Sequence, residues 1–277
     1  MRSVKALSLW PIRANIAKSI QMLSFTEFGS AHGTPLLIAH GLYGSARNWG
    51  VMAKRLSDTR RVVTIDMRNH GHSFWADSHS YADLAEDLAQ IIDHLGGPMD
   101  MLGHSMGGKA AMMLALTRPD TVRRLIIGDI APVRYGHAQS HIQHIDDMRA
   151  VDLSRVDRRS DANAQLAKLG MDKPLSSFLT QSLDMENKKW RFNLDALAKN
   201  MPEILGFPEV SAAHVGPTLF LSGGTSNYVT HEYRPKTRAL FPKSRFAKVP
   251  NAGHWLHAEN PRAFEGTVRA YLNASEG

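Results

Sequence analysis

From Met22 onward the chain changes character about every 10 to 20 residues, from short continuously apolar runs to longer runs with apolar residues at helical spacing. No other feature of the sequence restricts the fold as much. A strand that is apolar along its whole length must be covered on both faces, so a sheet made of such strands is mostly parallel and flanked by helices. The strand candidates are residues 35–40, 61–66, 99–102, 124–129, 218–222 and 245–249. Residues 81–95 form the clearest helix candidate: Leu84, Leu88, Ile91, Ile92 and Leu95 share one face, and Ser80 with acids in the next turn marks its start.

The rhythm stops after Pro132 and resumes at Gly206, leaving roughly seventy residues of helix-like sequence with no strand signal. Residues 133–205 are therefore expected to form a helical cap inserted into a core made of residues 22–132 and 206–277, with residues 1–21 as an N-terminal extension. At 277 residues, 43% of them hydrophobic, the chain is long enough for one sizeable core plus such an insertion. The inserted stretch holds eleven Lys/Arg and ten Asp/Glu, which leaves it close to neutral. Most of its apolar residues are expected in the cap's own core, with a minority lining a pocket.

Gly103-His104-Ser105-Met106-Gly107 lies between a strand candidate and a helix candidate. In that context G-x-S-x-G reads as a sharp strand-to-helix turn that exposes the serine hydroxyl, which makes Ser105 the candidate nucleophile. The glycine-rich His40-Gly41-Leu42-Tyr43-Gly44 follows the first strong strand, and the backbone amides of Leu42 and Met106 are the predicted oxyanion donors. Of fourteen histidines, His254 follows the last strand candidate and reaches the carboxyl-end rim where open parallel sheets place their sites. It is the candidate base. Tyr43, His104, Trp190 and Trp255 are candidate substrate-lining residues. His40 reads as a structural hydrogen-bonder and His257 as a helix cap, while Asp66 and Arg68 read as a structural ion pair. His137, His141 and His144 have helical spacing, but no carboxylate or cysteine accompanies them at ligand spacing, so neither a metal nor a cofactor is expected.

His40-Gly41, residues 66–73, 103–108 and 253–261 together resemble the α/β-hydrolase superfamily in order and spacing, from Met22 to the C-terminus. Residues 128–133, 190–194 and 223–229 resemble the YbfF-type esterases and their mitochondrial relatives, which implies hydrolysis of acyl esters and acyl-CoA thioesters. Most members of the superfamily carry the triad acid in the turn after the penultimate strand. Here that turn reads Gly223-Gly224-Thr225-Ser226, and a serine cannot supply the charge that orients an imidazole. Asp129, at the end of the strand after the elbow strand, resembles the alternative acid position. Glu232, six residues past Ser226, is the runner-up.

The remaining features bound the function from outside. The chain has no cysteine, which excludes disulfides, thiolate metal sites and a cysteine nucleophile. Its formal charge of +7 comes largely from two acid-free stretches, residues 1–21 and 233–258, with no nucleic-acid motif beside them, so no nucleic-acid partner is expected. No run reaches membrane-spanning length. The start lacks a secretory cleavage site; a cytoplasmic location is expected, although the acid-free residues 1–21 would also suit a transit peptide. The expected partner is a small acyl ester or thioester, and no motif defines an oligomeric state. Perhydrolysis, carbon-carbon bond hydrolysis and non-enzymatic ligand reception on the same fold stand as alternatives.

Overall fold

The structure, a computed structural model, describes residues 21–30 and 33–274, so all of the expected N-terminal extension except Gln21 lies outside the described residues. Nine strands are present among them: β1 (Phe25–Phe28), β2 (Leu36–Ala39), β3 (Val62–Ile65), β4 (Met99–His104), β5 (Val122–Gly128), β6 (Leu183–Asp184), β7 (Lys189–Trp190), β8 (Thr218–Gly223) and β9 (Ser244–Val249). Seven make one sheet in the order β1-β3-β2-β4-β5-β8-β9, and β6 pairs separately with β7. All six apolar runs are strands of that sheet. The seventh strand, β1, has no counterpart among the predicted strands because Phe-Thr-Glu-Phe is not a continuous apolar run, with Thr26 and Glu27 exposed at the sheet's edge. It is also the one antiparallel member.

Side-chain alternation along the buried strands divides the core between the two faces of the sheet. On β2, Leu36 and Ile38 join a cluster with Trp49, Phe264, Val268 and Leu272, beneath α1 (Gly50–Leu56) and α11 (Pro261–Asn273). Leu37 and Ala39 face the opposite cluster, with Leu84, Leu88, Ile91 and Ile92 of α2 (Tyr81–His94) and the first turns of α3 (Met106–Thr117). Each fully buried leucine or isoleucine contributes about 1.5–3 kcal/mol. Ser80 caps α2 by accepting from Asp83 N, as its sequence position predicts.

Between β5 and β8 the chain forms α4 (Ala138–Ala150), α5 (Arg159–Lys168), α6 (Lys173–Thr180), the β6–β7 hairpin, α7 (Leu194–Lys199) and α8 (Met201–Leu205). The hairpin is too short to leave a periodic signal in the sequence. The remaining helices, α9 (Arg234–Leu240) and α10 (Leu256–Glu259), follow β8 and β9. The expected Asp66–Arg68 ion pair does not form. Asp66 accepts from the backbone N–H groups of Ala46 (2.7 Å) and His72 (2.8 Å), while Arg68 makes a two-point contact with Asp87 on α2 (2.6 and 2.8 Å). Neighbouring positions in the turn send these side chains to different loops, and the better-shaped carboxylate for the guanidinium lies across on the helix.

Candidate active site

Parallel pairing aligns the strand ends, with Ala39 beside Gly103, His104 beside Gly128 and Gly128 beside Leu221. The loops that follow β2, β4, β5, β8 and β9 therefore meet at one rim. Ser105 sits at the elbow between β4 and α3 with φ 52° and ψ −119°, a conformation that costs an L-residue about 1–3 kcal/mol. Its backbone is held there by Ser105 N donating to Gly128 O (2.9 Å) and by Lys109 N donating to Ser105 O (3.0 Å). The flanking glycines are required by close approach. A Cβ on Gly103 would lie 2.3 Å from Gly107 O, and one on Gly107 would lie 2.5 Å from the carbonyl oxygens of Ala39 and His40.

Asp129 follows β5, fully buried, and all its donors come from other loops of the rim. Oδ1 accepts from Gly223 N (3.0 Å); Oδ2 accepts from Ser226 Oγ (2.5 Å) and His254 Nδ1 (2.8 Å). An acceptor-only carboxylate places the proton on Nδ1 and leaves Nε2 of His254 as the basic nitrogen. Ser226, in the turn where the resemblance led one to expect an acid, thus donates to the acid. The same turn brings Tyr228 onto His254, with ring centroids 4.1 Å apart and planes 25° from parallel. Neither role was legible locally; the only signal was the missing carboxylate at Ser226. Glu232 is exposed in the short His231–Tyr233 turn and does not line the cavity.

Ser105 and His254 share a cavity of about 280 Å³ with Leu42, Tyr43, His104, Met106 and Trp255. Met106 N belongs to the first turn of α3, where backbone N–H groups have no partner within the helix. Trp190 is not in this wall. Its indole donates to Met148 O (2.8 Å) inside the helical insertion, where the ring also stacks on Phe192. A large apolar ring near a pocket is more strongly held where its N–H finds a buried carbonyl.

Burial holds several of the other histidines below their ordinary range, His40, His104, His141 and His257 among them. Burial pushes His40 down to about 4; its Nε2 accepts from Met67 N (3.0 Å), a structural role. His104 is likewise pushed well below the usual range by burial, and it donates from Nε2 to the carbonyl of His254 (2.8 Å). His257 does not cap its helix. It stacks on Trp49 at 4.0 Å, and Glu259 takes the capping role by accepting from Gly253 N and Trp255 N. His137, His141 and His144 line the cavity from α4; His137 Nε2 meets Tyr228 Oη at 3.1 Å, and burial lowers His141 to about 4. No group among the described residues has the arrangement of a metal site.

One buried charge escaped the sequence reading. Lys109, one helical turn after Ser105, donates to the carbonyls of Leu205 (2.9 Å) and Gly206 (2.6 Å), where α8 ends and the chain returns to the sheet. Burial lowers its amine to about 7. The basic stretch at residues 234–248 stays out of the cavity wall: Arg234 and Arg238 lie over Phe246, and Lys236 pairs with Glu209.

A parallel sheet with a strained serine at one strand end and a buried acid–histidine pair beside it defines a class, the α/β hydrolases. The family model described as alpha/beta hydrolase fold matches residues 34–261, and the chain belongs to that family. It is 39% identical over 254 residues to the mouse (Mus musculus) protein named sn-1-specific diacylglycerol lipase ABHD11, covering 88% of this chain and 82% of the relative. Esterase YbfF of Escherichia coli K12 is 36% identical over 243 residues, covering 87% and 94%. A solved marine microorganism esterase, 36% identical, superimposes with a TM-score of 0.86 over 91% of this chain and 99% of its own. The chain is a carboxylic ester hydrolase.

Proposed function

We propose that the chain cleaves short- to medium-chain carboxylic esters through an acyl-enzyme on Ser105. His254 Nε2 takes the serine proton and later returns one to the leaving alcohol, while Asp129 holds the imidazole in its Nδ1–H tautomer and stabilises the imidazolium. The backbone N–H groups of Leu42 and Met106 receive the oxyanion. The 2.8 Å contact between Asp129 Oδ2 and His254 Nδ1, at a rim shared with the serine elbow, carries this reading. The helical insertion acts as a cap, with α4, α6 and α8 closing the cavity.

A cavity of about 280 Å³ is at the small end of ligand sites, which run from about 300 to 1,000 Å³, and this favours short acyl chains over two-chain lipids. Acyl-CoA thioesters present the same carbonyl to the same serine and belong in the substrate range, although the basic stretch at 234–248 does not line the cavity. The test is a p-nitrophenyl ester series from two to sixteen carbons, run beside acyl-CoA and a diacylglycerol, with wild type and Ser105→Ala. A folded Ser105→Ala variant should lose about five to six orders of magnitude in turnover. Near-normal hydrolysis by that variant would refute the serine mechanism, and a preference for the longest chains would refute the size reading.

A further inference from the structure

A second cavity, of about 450 Å³, shares the Ala46–Trp49 turn with the catalytic one. Asn48 and Trp49 line the catalytic cavity, whereas Ala46 and Arg47 line the second. The two meet where Asn48 Nδ2 donates to Gln181 Oε1 (2.9 Å), since Gln181 belongs to the second wall. Its chemistry is the opposite of its neighbour's. Serine and threonine hydroxyls line it beside three guanidinium groups: Arg47 from the sheet domain, and Arg159 and Arg191 from the helical insertion.

Of these three charges, one has an ion pair among the described residues. Asp66 is the one carboxylate in the wall, and both its oxygens are taken by the backbone N–H groups of Ala46 and His72. Arg47 has no ion pair among the described residues, and Arg159 donates only to the carbonyls of Thr180 and Leu183. Arg191 reaches Asp184 at 3.6 Å. A separate observation points the same way. Thr64, on β3, is 1% exposed, lines this cavity, and its Oγ1 has no hydrogen-bond partner among the described residues. A buried hydroxyl without a partner costs free energy that a ligand oxygen would recover.

We propose that this cleft binds a phosphoryl group, gripped by Arg47 on one side and by Arg159 and Arg191 on the other, with the Thr64 hydroxyl beneath. Guanidinium donors converging from several directions suit a tetrahedral oxyanion with three free oxygens better than a flat carboxylate. Because the arginines come from both parts of the chain, the bound anion ties the insertion to the sheet beside the catalytic cavity. The phosphoryl group is supplied either by free phosphate or by a phosphate ester on the substrate's alcohol.

Calorimetric titration of the full chain with inorganic phosphate, at fixed ionic strength and against chloride, tests this without any turnover. Saturable binding is expected, weakened about tenfold in Arg47→Gln and by a smaller factor in Thr64→Val. No saturable binding by wild type, or unchanged affinity in Arg47→Gln, overturns the site. The two sources separate in an ester assay. Free phosphate as ligand predicts that inorganic phosphate alters kcat on a neutral ester. A substrate-borne phosphate predicts instead a kcat/KM preference for the phosphate-bearing ester that Arg47→Gln abolishes. Phosphate binding that persists in a chain unable to cleave any ester would count against the proposed hydrolysis alone.

Discussion

Asp129 and Asp100 are both fully buried in the same sheet, yet their surroundings make them different groups. Asp129 lies just past the end of β5, where the end of β8 with its following turn supplies Gly223 N and Ser226 Oγ, and the loop after β9 supplies His254 Nδ1, to its two oxygens. Asp100 lies near the start of β4. Arg60 donates to its Oδ2 at 3.0 Å, but Oδ1 has no hydrogen-bond partner among the described residues, and burial raises its carboxyl to about 6. Burial alone therefore does not equip a carboxylate to hold a histidine. A carboxylate stays charged inside a protein when donors meet both oxygens, and the rim where loops converge has donors to spare.

The largest expected effect comes from breaking the rim carboxylate. Asp129→Asn should lower kcat on an activated ester by about four orders of magnitude by favouring the wrong imidazole tautomer, while Glu232→Gln leaves it unchanged. If Glu232→Gln proves the more damaging, the acid belongs to the turn after β8 and the contrast between the two aspartates loses its meaning. Next in size is the hydrogen bond from Ser226, which stands in the turn where an acid was expected and donates to Asp129. Ser226→Ala removes one donor from Asp129 Oδ2 and should reduce kcat about tenfold, with KM little changed. An unaltered kcat would mean that Gly223 N and His254 suffice.

Asp100 should show the reverse pattern, with Asp100→Asn leaving ester hydrolysis untouched. Its effect is on stability. With a folded value near 6 and an ordinary value of 3.8, the folded state binds more protons than the unfolded one between those pH values. Stability therefore falls as pH rises through that window, by about 2–3 kcal/mol from this group. Denaturant melts at pH 4, 5 and 6 should show that decline in wild type, and Asp100→Asn should flatten it. Equal slopes in both proteins would place the proton elsewhere.

What could be read along the chain was whatever neighbouring residues impose on one another. Continuous apolar runs specified the six inner strands, because a strand buried on both faces has no polar positions to offer. Gly103 and Gly107 marked the serine elbow because the close approach there tolerates no side chain on either. His254 could be singled out from its place after the last strand run. β1 and the β6–β7 hairpin escaped, one being half exposed and the other two residues per strand.

The partnerships were decided only in three dimensions. Asp129 meets His254 across 125 positions of sequence, and Ser226 meets Asp129 across 97. Arg68 passed over the nearby Asp66 for Asp87, and Trp190 turned into the insertion rather than the cavity. A sequence constrains local backbone through sterics and hydrophobic spacing, whereas hydrogen bonds between loops depend on strand order and register. Both are set only when the whole sheet assembles, and so the serine elbow was legible from its own glycines while the carboxylate that meets His254 took its position only beside β8.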